Sequence, residues 1–243
     1  MFFISPPFGN YFSIPDTIPI RGSFTLFPRP GIIRRTIETL RYNISLGEWK
    51  NEIGLRNKGI DHAVQTYQKG EIISIAFVEG DKKEIDALAQ KIPKDMDIEL
   101  NISCPNVKKR KKSPEGLEIF LSDEREWCIV KLSPLSPMED VEKYYKEGFR
   151  QFHFSNTVPH SYITGNQNDT GGVSGKYIKE MNKKIIPEAK EKFPDIEIIG
   201  GGGISDFVDV QDYHSWGADH FSISTVLFNP ISSYRLYKSN IRN

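Results

Sequence analysis

The chain has 243 residues, close to the roughly 250 typical of one α/β barrel and short for two ordinary domains. Lysine plus arginine and aspartate plus glutamate both number 32, so the formal net charge is zero, and no global charge argues for a nucleic acid or an anionic membrane as partner. The two cysteines, Cys104 and Cys128, follow no spaced metal or disulfide pattern, which predicts a reducing, cytoplasmic setting and no metal site.

The opening Met1-Phe2-Phe3-Ile4-Ser5-Pro6-Pro7 has neither the basic start nor the long apolar run of a secretion signal, and no later run is long enough to span a bilayer. Apolar, β-branched segments then alternate with amphipathic ones. The spacing predicts strands at Met1–Ile4, Ile18–Thr25, Ile72–Val78, Ile98–Ile102, Trp127–Leu132, Gln151–Ser155, Ile196–Gly200 and His220–Ile223. Helices are predicted at Lys83–Lys91, Met138–Glu147, Lys176–Lys192 and Phe207–Trp216. Helical crossovers between short strands require parallel pairing, and eight such units predict a (β/α)8 TIM barrel as one domain over residues 1–243. The runner-up, a doubly wound open sheet, lacks the glycine turn that a dinucleotide fold needs after its first strand. The stretch Pro6–Asn57, weakly periodic and rich in proline and glycine, makes the second unit largely loop, and the helix near Pro114–Glu126 reads as short.

A parallel barrel concentrates function where its strands end. After the seventh strand comes Gly200-Gly201-Gly202-Gly203-Ile204-Ser205-Asp206, opening a helix, and the eighth ends in Ser222-Ile223-Ser224-Thr225. Glycines let backbone amides approach an anion, and a helix start adds free donors, so this region predicts a phosphate cup. A tight turn capped by Asp206 is the plain alternative. Thr170-Gly171-Gly172-Val173-Ser174-Gly175 reads as a second wall of that cup, or as ordinary capping before the next helix. Lys131, in an otherwise apolar strand, needs an anion or acceptors unless it snorkels out of the mouth.

The fourth strand runs into Asn101-Ile102-Ser103-Cys104-Pro105-Asn106, placing two amides, a hydroxyl and a thiol together. Amides both donate and accept, which suits a ring of alternating C=O and N–H groups, and a loop thiol near cations can ionise to a base or nucleophile. Asn156-Thr157 after the sixth strand, with Asn51 and Asn57, extends the amide set, although any one of them alone is more often turn chemistry. Cys128 reads as a small core residue.

These segments resemble the dihydroorotate dehydrogenases, specifically the soluble class with a cysteine base. The best matches are Asn101–Val107 and Asn51-Glu52-Ile53-Gly54-Leu55-Arg56-Asn57-Lys58-Gly59. Val130–Pro134, Thr170–Gly175, Ile198–Ile204, Ser5–Gly9 and Thr25–Arg29 follow the family's order. The resemblance implies an FMN-binding barrel that oxidises dihydroorotate to orotate in pyrimidine biosynthesis. It assigns FMN to Ser5, Lys131, Ser155, Gly175, Gly202, Gly203, Ser224 and Thr225. Substrate falls to Asn51, Gly54, Leu55, Asn101, Asn106, Asn156 and Thr157, with Cys104 as catalytic base and Lys131 steadying the reduced flavin. It further implies a soluble electron acceptor or a separate electron-transfer subunit, compatible with a homodimer.

Departures accompany the likeness. A lysine usual after the second strand is replaced by Gly22, or by Arg21 if the register slips, and Ser224 stands where glycine is usual. The usual N-terminal hairpin is missing, the fourth helix is shortened, and the chain ends soon after the eighth strand. Two rival readings are therefore carried: another FMN barrel such as a tRNA-dihydrouridine synthase, with Lys108–Lys112 on phosphates, and a flavin-binding relative that has lost catalysis.

Overall fold

A computed structural model of the protein describes residues 1–44, 47–103 and 113–241. The chain begins with strands β1 (Phe2–Ile4) and β2 (Thr17–Phe24), helix α1 (Ile32–Thr39), and the hairpin of β3 (Arg41–Asn43) and β4 (Glu48–Asn51). Then come α2 (Ile60–Gln65), β5 (Ile72–Ala76), α3 (Lys82–Lys91), β6 (Ile98–Asn101), β7 (Cys128–Leu132), α4 (Met138–Lys146) and β8 (Gln151–Phe154). β9 (Val158–Pro159), α5 (His160–Thr164), β10 (Gly172–Gly175), α6 (Lys176–Lys192), β11 (Glu197–Gly201), α7 (Phe207–Ser215), β12 (His220–Ile223) and α8 (Pro230–Leu236) follow.

Eight strands close a parallel barrel in the order β1-β12-β11-β8-β7-β6-β5-β2. All eight are strands the sequence predicts; most are short apolar runs buried along nearly their whole length, whereas in β2 only Ile20 and Phe24 are buried. Asp81 caps α3 by accepting from the Glu84 amide, and Asp206 and Asp209 form a capping box at the start of α7. The plain reading of Asp206 as a cap therefore holds. Between β6 and β7 the described residues contain one short 3-10 turn, Leu117–Phe120, in keeping with a shortened fourth helix. No helix among the described residues is long and apolar enough to cross a membrane.

Alternation along the strands sorts their side chains. Phe2, Ile4, Ile73, Ile75, Leu100, Val130, Phe152 and Ile198 face outward into the main core beneath the helices. Phe3, Ile20, Ile72, Ile129 and Ile199, with Trp127, form a separate cluster that plugs the lower barrel. One step further along the same inward faces the character changes: Ser74, Glu99, Lys131, His153 and Ser222 are all buried. Barrel interiors are usually filled with branched apolar side chains. A buried polar layer is expensive unless every member is paired, so its presence marks the level at which the site begins.

A second sheet, in the order β3-β4-β10-β9 and antiparallel, was not legible in the sequence. Pro6–Asn57, read as largely loop around the predicted strand at Ile18–Thr25, also holds α1 and the β3–β4 hairpin; Thr170–Gly175, read as a glycine loop, ends in strand β10. Gly172 to Gly175 pair with Asn51 to Glu48, and that pairing draws the second glycine segment over the barrel mouth.

Candidate active site

One cavity at the mouth is lined by Ser5, Lys131, Ser155, Gly175, Gly202, Gly203, Ser224 and Thr225, together with Asn156, Thr157, Ser174, Ile178 and Ser222. The two glycine segments meet there. A Cβ on Gly203 would lie 2.9 Å from the Lys176 Cα and 3.0 Å from the Gly175 carbonyl oxygen, so the walls touch backbone to backbone. A Cβ on Gly202 would lie 2.3 Å from Ile178, and both residues hold positive φ. These glycines are required by the close seating of β11 against the start of α6, which brings that helix N-terminus beside the hydroxyls of Ser224 and Thr225. The resulting donor set suits a phosphate. The enclosed space is about 90 Å³, and an adjacent outer cavity of about 480 Å³, bounded by Trp49, Tyr42 and Phe228, shares Gly175, Gly203, Ile204 and Thr225 with it. Together they fall in the range of small-molecule sites.

The floor of the cup is the polar layer. Lys131 Nζ lies 3.3 Å from Glu99 Oε1, which also accepts from Ser74 Oγ at 2.7 Å. Glu99 Oε2 accepts from His153 Nδ1 at 2.5 Å, and His153 Nε2 meets Ser155 Oγ at 2.6 Å. Burial alone would push the Glu99 carboxyl upward. The Lys131 and His153 charges, with hydrogen bonds from His153 and Ser74, outweigh it and hold the group down to about 2. Burial, reinforced by the Lys131 charge, lowers His153 to about 4 against the pull of Glu99, so the imidazole is neutral at pH 7.

A second chain of hydrogen bonds leads to the amides. The Thr157 amide donates to Asn156 Oδ1 at 3.1 Å, and Asn156 Nδ2 donates to Asn101 Oδ1 at 2.8 Å and to Ser103 Oγ at 3.0 Å. Asn101 Nδ2 donates to Ser23 Oγ at 3.0 Å, which lies 3.0 Å from Ser74 Oγ. The structure thus brings Asn156 and Thr157 to the cup, with Asn101 behind them, bonded to Asn156 but not itself on the wall. Asn51, Gly54 and Leu55 are not on its wall; Gly54 borders a separate cavity of about 400 Å³ with Arg29, Arg35 and Arg56. Asn57 is turn chemistry: its side chain accepts from the Thr25 and Gly59 amides and donates to the Leu55 carbonyl. Cys104, Asn106 and Lys108–Lys112 lie outside the described residues.

Two expectations for the second strand are corrected. Arg21 does not reach the mouth; it faces outward, paired with Glu71 and donating to the Thr66 carbonyl and hydroxyl at 3.0 and 2.9 Å. Gly22 has no room for a lysine, since its Cβ would sit 2.5 Å from the Ser74 carbonyl oxygen at a φ of +130. The side chain that β2 delivers to the amides is Ser23. Lys131 does not snorkel, because Glu99 holds it in the barrel. Cys128 is half-buried at the core edge, and burial pushes its thiol up to about 12. Glu99, His153, Ser74 and Ser23 were not singled out in the sequence. A signal existed for two of them: Ile98-Glu99-Leu100 and Phe152-His153-Phe154 set an ionisable group at an inward position of an apolar strand, as Val130-Lys131-Leu132 does.

Comparison with known proteins decides the family. The family model for dihydroorotate dehydrogenase matches residues 19–239. The chain belongs to the dihydroorotate dehydrogenase family. The catalytic subunit of dihydroorotate dehydrogenase B (NAD+) from Petrotoga mobilis is 33% identical over 217 residues, covering 79% of this chain and 71% of that protein. The protein of the same name from Thermotoga petrophila is 27% identical over 242 residues, covering 91% and 87%. A dihydroorotate dehydrogenase of Eimeria tenella, crystallised with ferulenol, shares the fold at a TM-score of 0.67 and 16% identity, over 91% of this chain and 73% of that one. An oxidoreductase of the dihydroorotate dehydrogenase family, not a tRNA-dihydrouridine synthase, is the reading these relatives support.

Proposed function

We propose that this protein oxidises dihydroorotate to orotate with FMN seated in the mouth cavity, Cys104 serving as base. The family match over residues 19–239 carries the reaction. The convergence of Ser5, Lys131, Ser155, Gly175, Gly202, Gly203, Ser224 and Thr225 on one cavity supports the cofactor. When bound there, FMN supplies the acceptor for the hydride that leaves C6 of the substrate. The chain's own task is the second loss: a Cys104 thiolate takes the C5 proton as that C–H electron pair becomes the new C5=C6 double bond. Lys131, a buried ammonium at the cavity floor, favours negative charge beside it. Asn156 and Thr157, backed by Asn101, present fixed donors and acceptors to the pyrimidine, and we assign Asn51 at the end of β4, Gly54, Leu55 and Asn106, which do not line the cup, to the substrate on the family resemblance alone. The relatives are named as catalytic subunits of an NAD+-type enzyme, which supports passage of the electrons to a separate subunit.

One observation favours a second reading, a flavin-binding relative without turnover: β2 offers the site no cation, with Arg21 turned outward and Gly22 closed to a side chain. Orotate formation measured with a soluble dye as acceptor, alongside heat-released flavin, tests both. Orotate production by protein holding an equimolar amount of FMN is the expected result. Full FMN content without orotate supports the second reading, and protein that takes up no flavin contradicts both.

A further inference from the structure

We infer that Glu99, through His153, fixes the hydrogen-bonding polarity of Ser155, so that the cup offers its ligand an acceptor at that point and selects an N–H donor such as the imide of a flavin. Identification of the ligand as a flavin rests on the proposed function; the polarity itself rests on the protein alone.

The argument is one of donor and acceptor accounting. An ionised carboxylate only accepts. Glu99 is fully buried, and both its oxygens are engaged: Oε1 by Lys131 and Ser74, Oε2 by His153. The His153 nitrogen facing it, Nδ1, must therefore carry a hydrogen. Lys131 already neutralises the carboxylate, so a second buried cation would be uncompensated, and the imidazole is neutral with Nε2 bare. Ser155 Oγ, 2.6 Å from Nε2, must donate its one hydrogen there. What remains on Ser155 toward the cavity is lone pairs.

The same carboxylate sets the amide side. Ser74 spends its hydrogen on Glu99, so Ser23 donates to Ser74 and accepts from Asn101 Nδ2. Thr157 fixes the far end, since a backbone N–H can only donate to Asn156 Oδ1. A backbone donor at one end and an anion at the other force every hydrogen bond between them to run one way. Glu99 touches neither cavity ligand; it is a positioning residue for both halves of the site.

Replacing Glu99 with glutamine makes a specific reversal. Lys131 and Ser74 keep the amide oxygen on their side, which turns the new NH2 toward His153 Nδ1. The imidazole then moves its hydrogen to Nε2, and Ser155 becomes a donor to the cup. Nitrogen-15 NMR of the flavin-free protein at pH 7 reads this directly, with His153 identified among the five histidines by its loss in His153→Gln. The wild-type resonance pair should show Nδ1–H and a bare Nε2, and E99Q should show the opposite tautomer. FMN binding followed by fluorescence quenching should weaken about tenfold in both E99Q and S155A, and no further in the double variant. A doubly protonated His153 or an Nε2–H tautomer in the wild type would overturn the inference, whether or not any variant folds. The expected tautomer in a protein that binds no FMN would sustain the polarity argument and refute the flavin reading instead.

Discussion

Gly22 stands where the family resemblance implies a lysine, and there the structure replaces a sequence-based expectation. Reading the position as a vacant lysine site implies that adding the lysine should help. Sterics imply the opposite, because the Cβ would press on the Ser74 carbonyl at 2.5 Å while the backbone holds a φ that L-residues avoid. Gly22→Lys should therefore lose at least about 2 kcal/mol of stability in denaturant unfolding, with no gain in dihydroorotate turnover. Arg21→Ala breaks a pairing with Glu71 and Thr66 on the outer wall, so its effect should fall on stability and leave substrate binding unchanged. Lys131 was legible as a functional residue because a lone charge in an apolar strand needs a partner. Its partner was harder to see, since Glu99 lies 32 residues earlier and the two meet only when β6 and β7 pair.

At the level of elements, the barrel was readable and the mouth sheet was not. Barrel strands such as Ile72–Ala76 are buried at every position, which leaves a continuous apolar run in the sequence. The mouth strands are two to four residues long, and β3 is fully exposed, so neither length nor alternation announces them. Gly172–Gly175 is a strand because Glu48–Asn51 lies beside it, a partner some 120 residues away that no local pattern can supply. The glycine pair of the β11–α7 turn shows how tightly these elements are set. In Gly202→Ala the added methyl would meet Ile178 at 2.3 Å, forcing β11 and the start of α6 apart. The variant should lose roughly 1–3 kcal/mol of stability and much of its flavin affinity, and Ile178→Ala in the same chain should restore part of both. Thermal melts with and without FMN measure each effect. No recovery in the double variant would mean that positive φ, not the contact, sets the requirement.

For the whole molecule, the division of the barrel interior into an apolar plug below and a polar layer above has a consequence for stability in acid. His153 titrates near 4 in the folded protein against 6.5 when free, and Glu99 near 2 against 4.5. Over both intervals the unfolded chain binds a proton that the native one refuses, so stability falls as pH drops from about 6.5 toward 2. His153→Gln should flatten the upper part of that fall, between about 6.5 and 4, when unfolding free energy is measured against pH; an unchanged slope would mean that His153 is charged in the native state. The central claim is that this barrel carries out the dihydroorotate half-reaction with Cys104 as base. Its most direct measurement is anaerobic mixing of the FMN-loaded protein with dihydroorotate while the flavin absorbance is followed. The wild type and Cys128→Ala should bleach alike, because the Cys128 thiol is buried and pushed up to about 12, and Cys104→Ala should bleach about 10²–10⁴-fold more slowly. A wild-type flavin that stays oxidised, or equal slowing by the two cysteine substitutions, would contradict the account.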